Sequence, residues 1–318
     1  NFMNYIVFDL EGNQSPGGKK FSESRLPFEI IEIGAVKLNE QKEIVDTFHR
    51  LIRPKVYKWI HSSVHEVIHV DYKELAKGQA FEDAVREFLE WCGASWYFFT
   101  WGNQDVMELQ RNMKYYGLLE RLPGPVTYYD VQKLFAIRYE DGKSRRSLEY
   151  AIDMLEIEKK QDFHRALADA YYTAAVLKNI ETEYILPNSS IDVYQNPKSK
   201  KEEIYISYPT YDKYVSREFS TRERMMKDKE ATSTRCPVCH CSAKRKIRWF
   251  AGSPKAYYSV SVCQEHGLIK GKLRVRRTDE GAYYGVKTLK CIDTEEAEKI
   301  RQKRESLRRK RQSKRGSV

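Results

Sequence analysis

The pattern of apolar and polar positions in the first 185 residues predicts an α/β domain. Apolar, β-branched and aromatic runs predict five strands, of which the second and third form a hairpin, at residues 4–10, 28–38, 43–52, 95–101 and 125–131. Helical spacing of apolar residues, or a capping signal, predicts helices at residues 81–92, 105–116, 147–155 and, after His164, to about Ile185. Three strands precede an alternation of helix and strand, so we expect a mixed sheet flanked by helices.

The pattern changes beyond Pro187. A polar stretch reads as a linker, charged helix-compatible sequence follows, and short β-rich runs then surround a cysteine cluster. From Thr294 the chain is helical in pattern and basic, with few apolar positions for packing. The predicted organisation is an α/β domain, a linker with a charged helical segment, a small β-rich module and a basic tail, at residues 1–185, 186–232, 233–292 and 293–318.

Charge is distributed unevenly between the two halves. The chain carries a formal net charge of +11, but residues 1–185 have a net charge of −5 and residues 186–318 one of +16. This asymmetry indicates nucleic acid or an anionic membrane as a partner of the second half, although a solvated charged face is the ordinary alternative. The 41% hydrophobic content excludes disorder throughout. No run approaches 18 apolar residues and no export signal is visible, so we expect a cytoplasmic protein without a membrane span.

Four carboxylates and one histidine stand at predicted strand ends and helix starts. Asp9 and Glu11 end the first strand, where positions i and i+2 face the same side. Asp105 begins a helix, and Asp169 lies in the last helix, which His164 must precede if both are to reach one site. Singly, these are an ordinary surface pair, a helix N-terminal acid and a capping histidine. Together the carboxylates would repel without cations, and their oxygens suit Mg²⁺ or Mn²⁺.

Two such ions form the clamp used for phosphodiester hydrolysis, and a histidine can take the proton of the attacking water. The motifs resemble those of the DEDDh 3′→5′ exonuclease superfamily, which has a ribonuclease H-like fold, over about residues 4–185. The stretches 28–36 and 147–151 also resemble the family. The start of the chain resembles the sporulation-inhibitor-type exonucleases of spore-forming bacteria. The resemblance implies four ligands of two divalent ions, Asp9, Glu11, Asp105 and Asp169, and His164 as general base.

Two positions depart from the family pattern. The residue after Glu11 is Gly12, where family members usually carry Thr, Ala or Trp. The stretch from Val64 to His69 replaces the family's usual Thr-Gly-Ile element. In the family both regions lie near the terminal nucleotide, so we expect the fit of the substrate to differ.

A second cluster consists of sulfur and imidazole ligands. Cys236 and Cys239 form one x₂ pair, and Cys263 with His266 forms another after 23 residues, a gap that fits a β-hairpin. Such spacing predicts a structural zinc ribbon that leaves no open position on the ion. Alternatives are unligated buried cysteines, or substitution of one ligand by a neighbour, His240 or Cys241.

Basic and aromatic residues alternate around the predicted ribbon. This composition suits a single strand, through phosphate contacts and base stacking, but the aromatics can also be the core of the module. We therefore expect a metal-dependent 3′→5′ exonuclease acting on single-stranded RNA or DNA and releasing nucleoside 5′-monophosphates, with two Mg²⁺ or Mn²⁺ and one Zn²⁺. Alternatives are a non-catalytic nucleic-acid- or ribosome-binding regulator and a nuclease restricted to short oligonucleotides. No oligomeric state is predicted.

Overall fold

Two units make up the chain, residues 1–195 and residues 196–318. The computed structural model describes residues 3–15, 23–58, 72–160 and 164–315. Each unit contains one six-stranded sheet. The expected mixed sheet flanked by helices and the β-rich second part are both present.

The sheet of the first unit is mixed and has the strand order β3-β2-β1-β4-β5-β6. The central strand β1 pairs antiparallel with β2 and parallel with β4, while β5 pairs parallel with β4 and antiparallel with β6. The strands are β1 (Asn4–Asn13), β2 (Glu29–Leu38), β3 (Ile44–Leu51), β4 (Trp96–Thr100), β5 (Val126–Asp130) and β6 (Ser190–Asp192).

Helices cover both faces of this sheet. Alternate residues of β1 face opposite sides, so Ile6 and Phe8 join one apolar core while Tyr5 and Val7 join the other. The helices are α1 (Tyr72–Leu75), α2 (Phe81–Cys92), α3 (Gln104–Tyr115), α4 (Val131–Tyr139), α5 (Leu148–Met154), α6 (Ala166–Lys178) and α7 (Thr182–Ile185). α2 and α3 pack on the first core, and α4, α5 and α6 on the second.

Three features of this unit differ from the sequence expectation. α4 follows β5 without a gap, because the Asp130 side chain caps it by accepting a 3.0 Å hydrogen bond from the Lys133 backbone N–H. The last helix ends at Lys178 and α7 forms a separate turn. β6 adds an edge strand within the segment that was expected to be a linker.

The second unit is built on an antiparallel sheet with the order β7-β8-β12-β11-β10-β9. β7 and β8 lie in the segment expected to be a linker and a charged helix, and only short helices follow them there. Its elements are β7 (Ile204–Ser207), β8 (Asp212–Val215), α8 (Arg222–Lys227), α9 (Lys229–Thr232), β9 (Lys244–Ser253), β10 (Ala256–Cys263), β11 (Gly267–Arg277), β12 (Tyr283–Cys291) and α10 (Thr294–Arg315). Within the described part of the chain, short 3₁₀ turns lie at Leu119–Arg121, Leu186–Asn188 and Lys200–Glu202.

The basic tail is an ordered helix that packs on this sheet. Ile300 of α10 is 7% exposed and lies in an apolar cluster with Ile247 and Val260. The Lys270 ammonium donates a 2.6 Å hydrogen bond to the Glu296 carboxylate and ties the start of α10 to β11. A few apolar contacts and one ion pair therefore hold a helix whose composition predicted little packing. Across the described ranges, no helix is long and apolar enough to cross a membrane.

Candidate active site and metal centre

The carboxyl end of β1 carries two acidic residues on one face. Tyr5 and Val7 point into the core beneath α6, and the alternation along the strand gives Asp9 and Glu11 the same side. Asp169 of α6 completes the group. One carboxylate oxygen from each of the three residues lies within 4.8 Å of the other two. The structure thus brings together three of the four carboxylates that the sequence singled out.

A close approach between α6 and β2 positions Asp169. A Cβ added to Gly34 of β2 would lie 2.0 Å from the Leu167 backbone nitrogen, so only glycine allows this packing. Asp169 lies in the first turn of α6. His164 precedes the helix, is exposed, and has a left-handed backbone with φ 66°. Its backbone N–H donates to the Asp169 carboxylate, so the two predicted site residues lie side by side.

Asp105 joins the group from the other side of β1. It is the second residue of α3, and its carboxylate accepts a hydrogen bond from the Leu10 backbone N–H. Leu10 lies between the two acidic residues of β1, and the charge of Asp105 contributes directly to the raised pKa of Asp9. The carboxyl end of β1 therefore carries acidic side chains from three elements.

Burial and mutual repulsion make these carboxylates hard to ionise together. Burial, with the charges of Asp169, Glu32 and Asp105, raises the pKa of Glu11 to about 8. Burial likewise raises the pKa of Asp105 to about 7 and that of Asp169 to about 6. Burial and four neighbouring carboxylates raise the pKa of Asp9 well above its ordinary value.

A divalent cation fits this group. Among the described residues, the buried Oδ1 of Asp169 has no hydrogen-bond partner. An unsatisfied buried carboxylate oxygen is costly, and a bound cation would supply its missing partner. Oxygen-only ligands of this kind suit Mg²⁺ or Mn²⁺. The donor set is therefore chemically matched to the ions that the sequence led us to expect.

A fifth carboxylate borders the site and was not predicted. Glu32 of β2 pairs directly across from Glu11 and is 1% exposed. Arg165 contacts it through Nε and Nη2 at 3.1–3.2 Å, and His49 Nε2 lies 2.7 Å from its Oε1. Burial raises the pKa of Glu32, but these hydrogen bonds outweigh it and hold that pKa below its ordinary value. Its sequence signal is a charged residue in the apolar middle of β2, between Ile31 and Ile33.

The two departures from the family pattern have different outcomes. A Cβ at Gly12 would lie 2.1 Å from the Phe28 ring, so the aromatic side chain occupies the space that a larger residue would need. The glycine is thus explained by packing within this chain. The stretch from Val64 to His69 lies outside the described residues.

The four predicted zinc ligands also come together. Cys236 and Cys239 lie on the turn before β9, Cys263 ends β10, and His266 lies in the turn to β11. One ligand atom from each lies within 4.8 Å of the others. The Val238 backbone N–H donates to Cys236 Sγ at 3.4 Å, and hydrogen bonds from His266 lower the pKa of the Cys263 thiol to about 6. Both contacts favour thiolates, the form that binds metal, while burial raises the pKa of the Cys236 thiol.

Distances within this cluster match tetrahedral zinc. Cys263 Sγ lies 3.7 Å from Cys239 Sγ and 3.7 Å from His266 Nδ1. Two sulfurs bound to one tetrahedral Zn²⁺ at about 2.3 Å would lie about 3.8 Å apart. Of the alternative ligands, Cys241 is exposed with its side chain beside Cys239, and His240 Nδ1 lies 3.3 Å from the Asp212 carboxylate.

Comparisons with known proteins agree with this geometry. Residues 6–177 match the exonuclease family model RNase T. The chain is 25% identical over 268 residues to the DNA polymerase III PolC-type of Caldanaerobacter subterraneus subsp. tengcongensis, an alignment that covers 84% of this chain and 17% of that protein. It is 32% identical over 108 residues to the probable 3′-5′ exonuclease KapD of Bacillus subtilis, covering 34% of this chain and 51% of KapD. The chain thus spans about half the length of one curated relative and a smaller share of the other.

Among solved structures, the nuclease domain of 3′hExo, a DEDDh family member bound to rAMP, aligns with 56% of this chain and 91% of its own at 17% identity and a TM-score of 0.48. The likeness to the sporulation-inhibitor-type branch stays a prediction. The family match extends over more than half of the sequence and includes the carboxylates of β1, α3 and α6. The chain belongs to the exonuclease family, and its resemblance to the DEDDh exonucleases is confirmed.

Proposed function

We propose that the chain is a metal-dependent 3′→5′ exonuclease that shortens single-stranded RNA or DNA and releases nucleoside 5′-monophosphates. The observation that carries this proposal is the convergence of Asp9, Glu11 and Asp169 on one point, with Asp105 beside them, inside a domain of the exonuclease family. Buried carboxylates that repel one another are unfavourable unless they serve to bind cations.

The four carboxylates would hold two Mg²⁺ or Mn²⁺ ions. When bound, such ions neutralise the charge of the scissile phosphate and lower the pKa of the attacking water. The repulsion within the group disappears on binding, because the cations offset the charges that raise the pKa of Asp9 and Glu11. Glu32 is already paired with Arg165 and hydrogen-bonded to His49, so we assign it a positioning role beside Glu11.

His164 is proposed as the general base. Its exposed position before α6 gives the imidazole access to solvent, and its backbone N–H holds it beside the Asp169 carboxylate. A neutral imidazole can accept the proton of an attacking water. The left-handed backbone conformation at His164 sets the direction of its Cα–Cβ bond.

In the second unit we propose one structural Zn²⁺ bound by Cys236, Cys239, Cys263 and His266. Four protein ligands complete a tetrahedral site, so this ion has no open position for substrate. Its contribution is to hold the turn before β9 against the turn between β10 and β11.

Direction and metal dependence can be tested together. A single-stranded RNA and the matching DNA, labelled in turn at the 5′ and 3′ ends, are incubated with Mn²⁺ or with EDTA. The proposal predicts a ladder of shortening products from the 5′ label and immediate release of labelled mononucleotide from the 3′ label, only with the metal. Internal cuts, or cleavage that persists in EDTA, would contradict it. Binding without any cleavage would favour the non-catalytic regulator.

A further inference from the structure

Three arginines of α10 share one face and have no acidic partner in the part of the chain that the structure describes. Arg304, Arg308 and Arg311 follow at spacings of four and three residues, which places them on the same side of the helix. All three are exposed, and no ion pair or hydrogen bond to another described side chain is found for them. Elsewhere on the helix, Lys299 and Arg301 pair with glutamates of α10 at 2.6–3.0 Å. The guanidinium groups of this face are therefore available to bind an external anion.

These arginines border a groove between α10 and β9. The groove has a volume of about 400 Å³, and Phe250 and Ala251 of β9 with Leu307 of α10 contribute its apolar surface. The buried Ile300 and the ion pair between Lys270 and Glu296 hold the helix against the sheet. The groove is consequently formed before any ligand binds, which lowers the entropic cost of binding.

The chemistry of the groove suits a phosphodiester backbone. Arg304 and Arg311 are separated by about 10 Å along the helix, so one strand can meet all three guanidinium groups. Arginine binds phosphate oxygens through paired N–H donors, and Phe250 offers an aromatic surface for a base. A membrane surface fits less well, because an interfacial helix needs an exposed apolar face. Among the described residues, the large exposed hydrophobic side chains all lie outside α10 and β9.

We propose that the groove between β9 and α10 binds single-stranded nucleic acid, with Arg304, Arg308 and Arg311 contacting phosphates and Phe250 contacting a base. This inference deepens the proposed function and rests on it only for the identity of the bound strand as substrate. It assigns the binding to one face of α10, rather than to the overall positive charge of the second unit.

A charge-matched pair of variants separates these two explanations. The groove variant is R304A/R308A/R311A, and the control K299A/R309A/K310A removes three positive charges from the opposite side of the same helix. Binding of a fluorescein-labelled 30-nucleotide oligo(dT) and oligo(rU) to the full chain is measured by anisotropy in EDTA at several salt concentrations. We expect the groove variant to bind at least 10-fold more weakly and the control to change less than 3-fold. The slope of log K against log[salt] is negative, and its magnitude should decrease by about 2 in the groove variant. Each phosphate contact in a single strand contributes about 0.7 to that magnitude, and three contacts are removed.

Equal weakening in both variants, or none in the groove variant, would overturn the proposal. The proposal would also be overturned, in favour of a membrane, if the groove variant lost binding to anionic vesicles of phosphatidylserine and phosphatidylcholine but bound the oligonucleotides like the wild type. Hydrolysis of the p-nitrophenyl ester of thymidine 5′-monophosphate is followed in parallel with Mn²⁺. This ester has no backbone for the groove, so both variants should hydrolyse it like the wild type. If the wild type hydrolyses neither this ester nor a single strand, the proposed nuclease activity is wrong. The anisotropy measurements would still test whether the groove binds nucleic acid.

Discussion

Removal of the charge of Glu11 should stabilise the metal-free protein while it impairs metal binding. Burial and the neighbouring carboxylates raise the pKa of Glu11 from 4.5 to about 8. A carboxyl group with a raised pKa keeps its proton in the folded protein after the unfolded chain has released it. The folded state is therefore at full stability below about pH 4.5 and loses stability as the pH rises through 8.

The size of this effect follows from the pKa. Each pKa unit corresponds to about 1.4 kcal/mol, so ionisation of Glu11 above pH 8 can lower the stability of the folded state by at most about 5 kcal/mol. Glu11 is only partly buried, and water screens some of the repulsion. We therefore expect ionised Glu11 to lower the free energy of unfolding by about 2 kcal/mol. This loss corresponds to about 4–8 °C in melting temperature for a unit of this size.

Thermal unfolding of the wild type, Glu11→Gln and an exposed control, Glu183→Gln of α7, would test this in EDTA at pH 5 and pH 8.5. Glu11→Gln should melt about 4–8 °C above the wild type at pH 8.5 and close to it at pH 5, while the control follows the wild type at both. Added Mn²⁺ should raise the melting temperature of the wild type more than that of Glu11→Gln. Equal losses of stability in all three proteins between pH 5 and pH 8.5 would refute the electrostatic argument.

Four further changes have defined outcomes. Gly34→Ala should lower the free energy of unfolding by about 2 kcal/mol and reduce turnover, because its Cβ would clash with α6; an unchanged melting temperature would exclude the tight contact. Glu32→Gln should cost about 2 kcal/mol in denaturant unfolding, since Arg165 loses its anion. Cys263→Ser should lose bound zinc in elemental analysis, and full zinc content would remove it as a ligand. His164→Ala should slow turnover about 100-fold and flatten the pH–rate profile while Mn²⁺ affinity persists; wild-type kinetics would exclude a general base.

The first unit was predictable because its strands are buried apolar runs with clear ends. In β1, the run ends at Asp9 and Glu11, and the period of two puts both on one face. The sequence required His164 to lie before the last helix if it was to reach one site with Asp169, and the structure has that arrangement, with Asp169 in the first turn of α6. Local sequence was sufficient here because each site residue lies at the end or start of a regular element.

Other features depend on contacts that a local pattern does not encode. β6 and β7 are short edge strands of mixed polarity, so backbone pairing rather than periodicity forms them. The partner of Glu32 is Arg165, 133 residues away, and nothing near Glu32 in sequence identifies it. α10 shows the opposite case: its composition predicted weak packing, yet one buried isoleucine and one ion pair hold it on the sheet.

The assignment of the carboxylates to catalysis is the central claim, and Asp9 is its most direct test. Wild type and Asp9→Asn are compared on a 5′-labelled single strand with Mn²⁺, after circular dichroism shows that both are folded. The account predicts a ladder of products for the wild type and none for Asp9→Asn, because the substitution removes a ligand from the centre of the cluster. A ladder of equal rate from the folded Asp9→Asn protein would contradict the assignment of the active site.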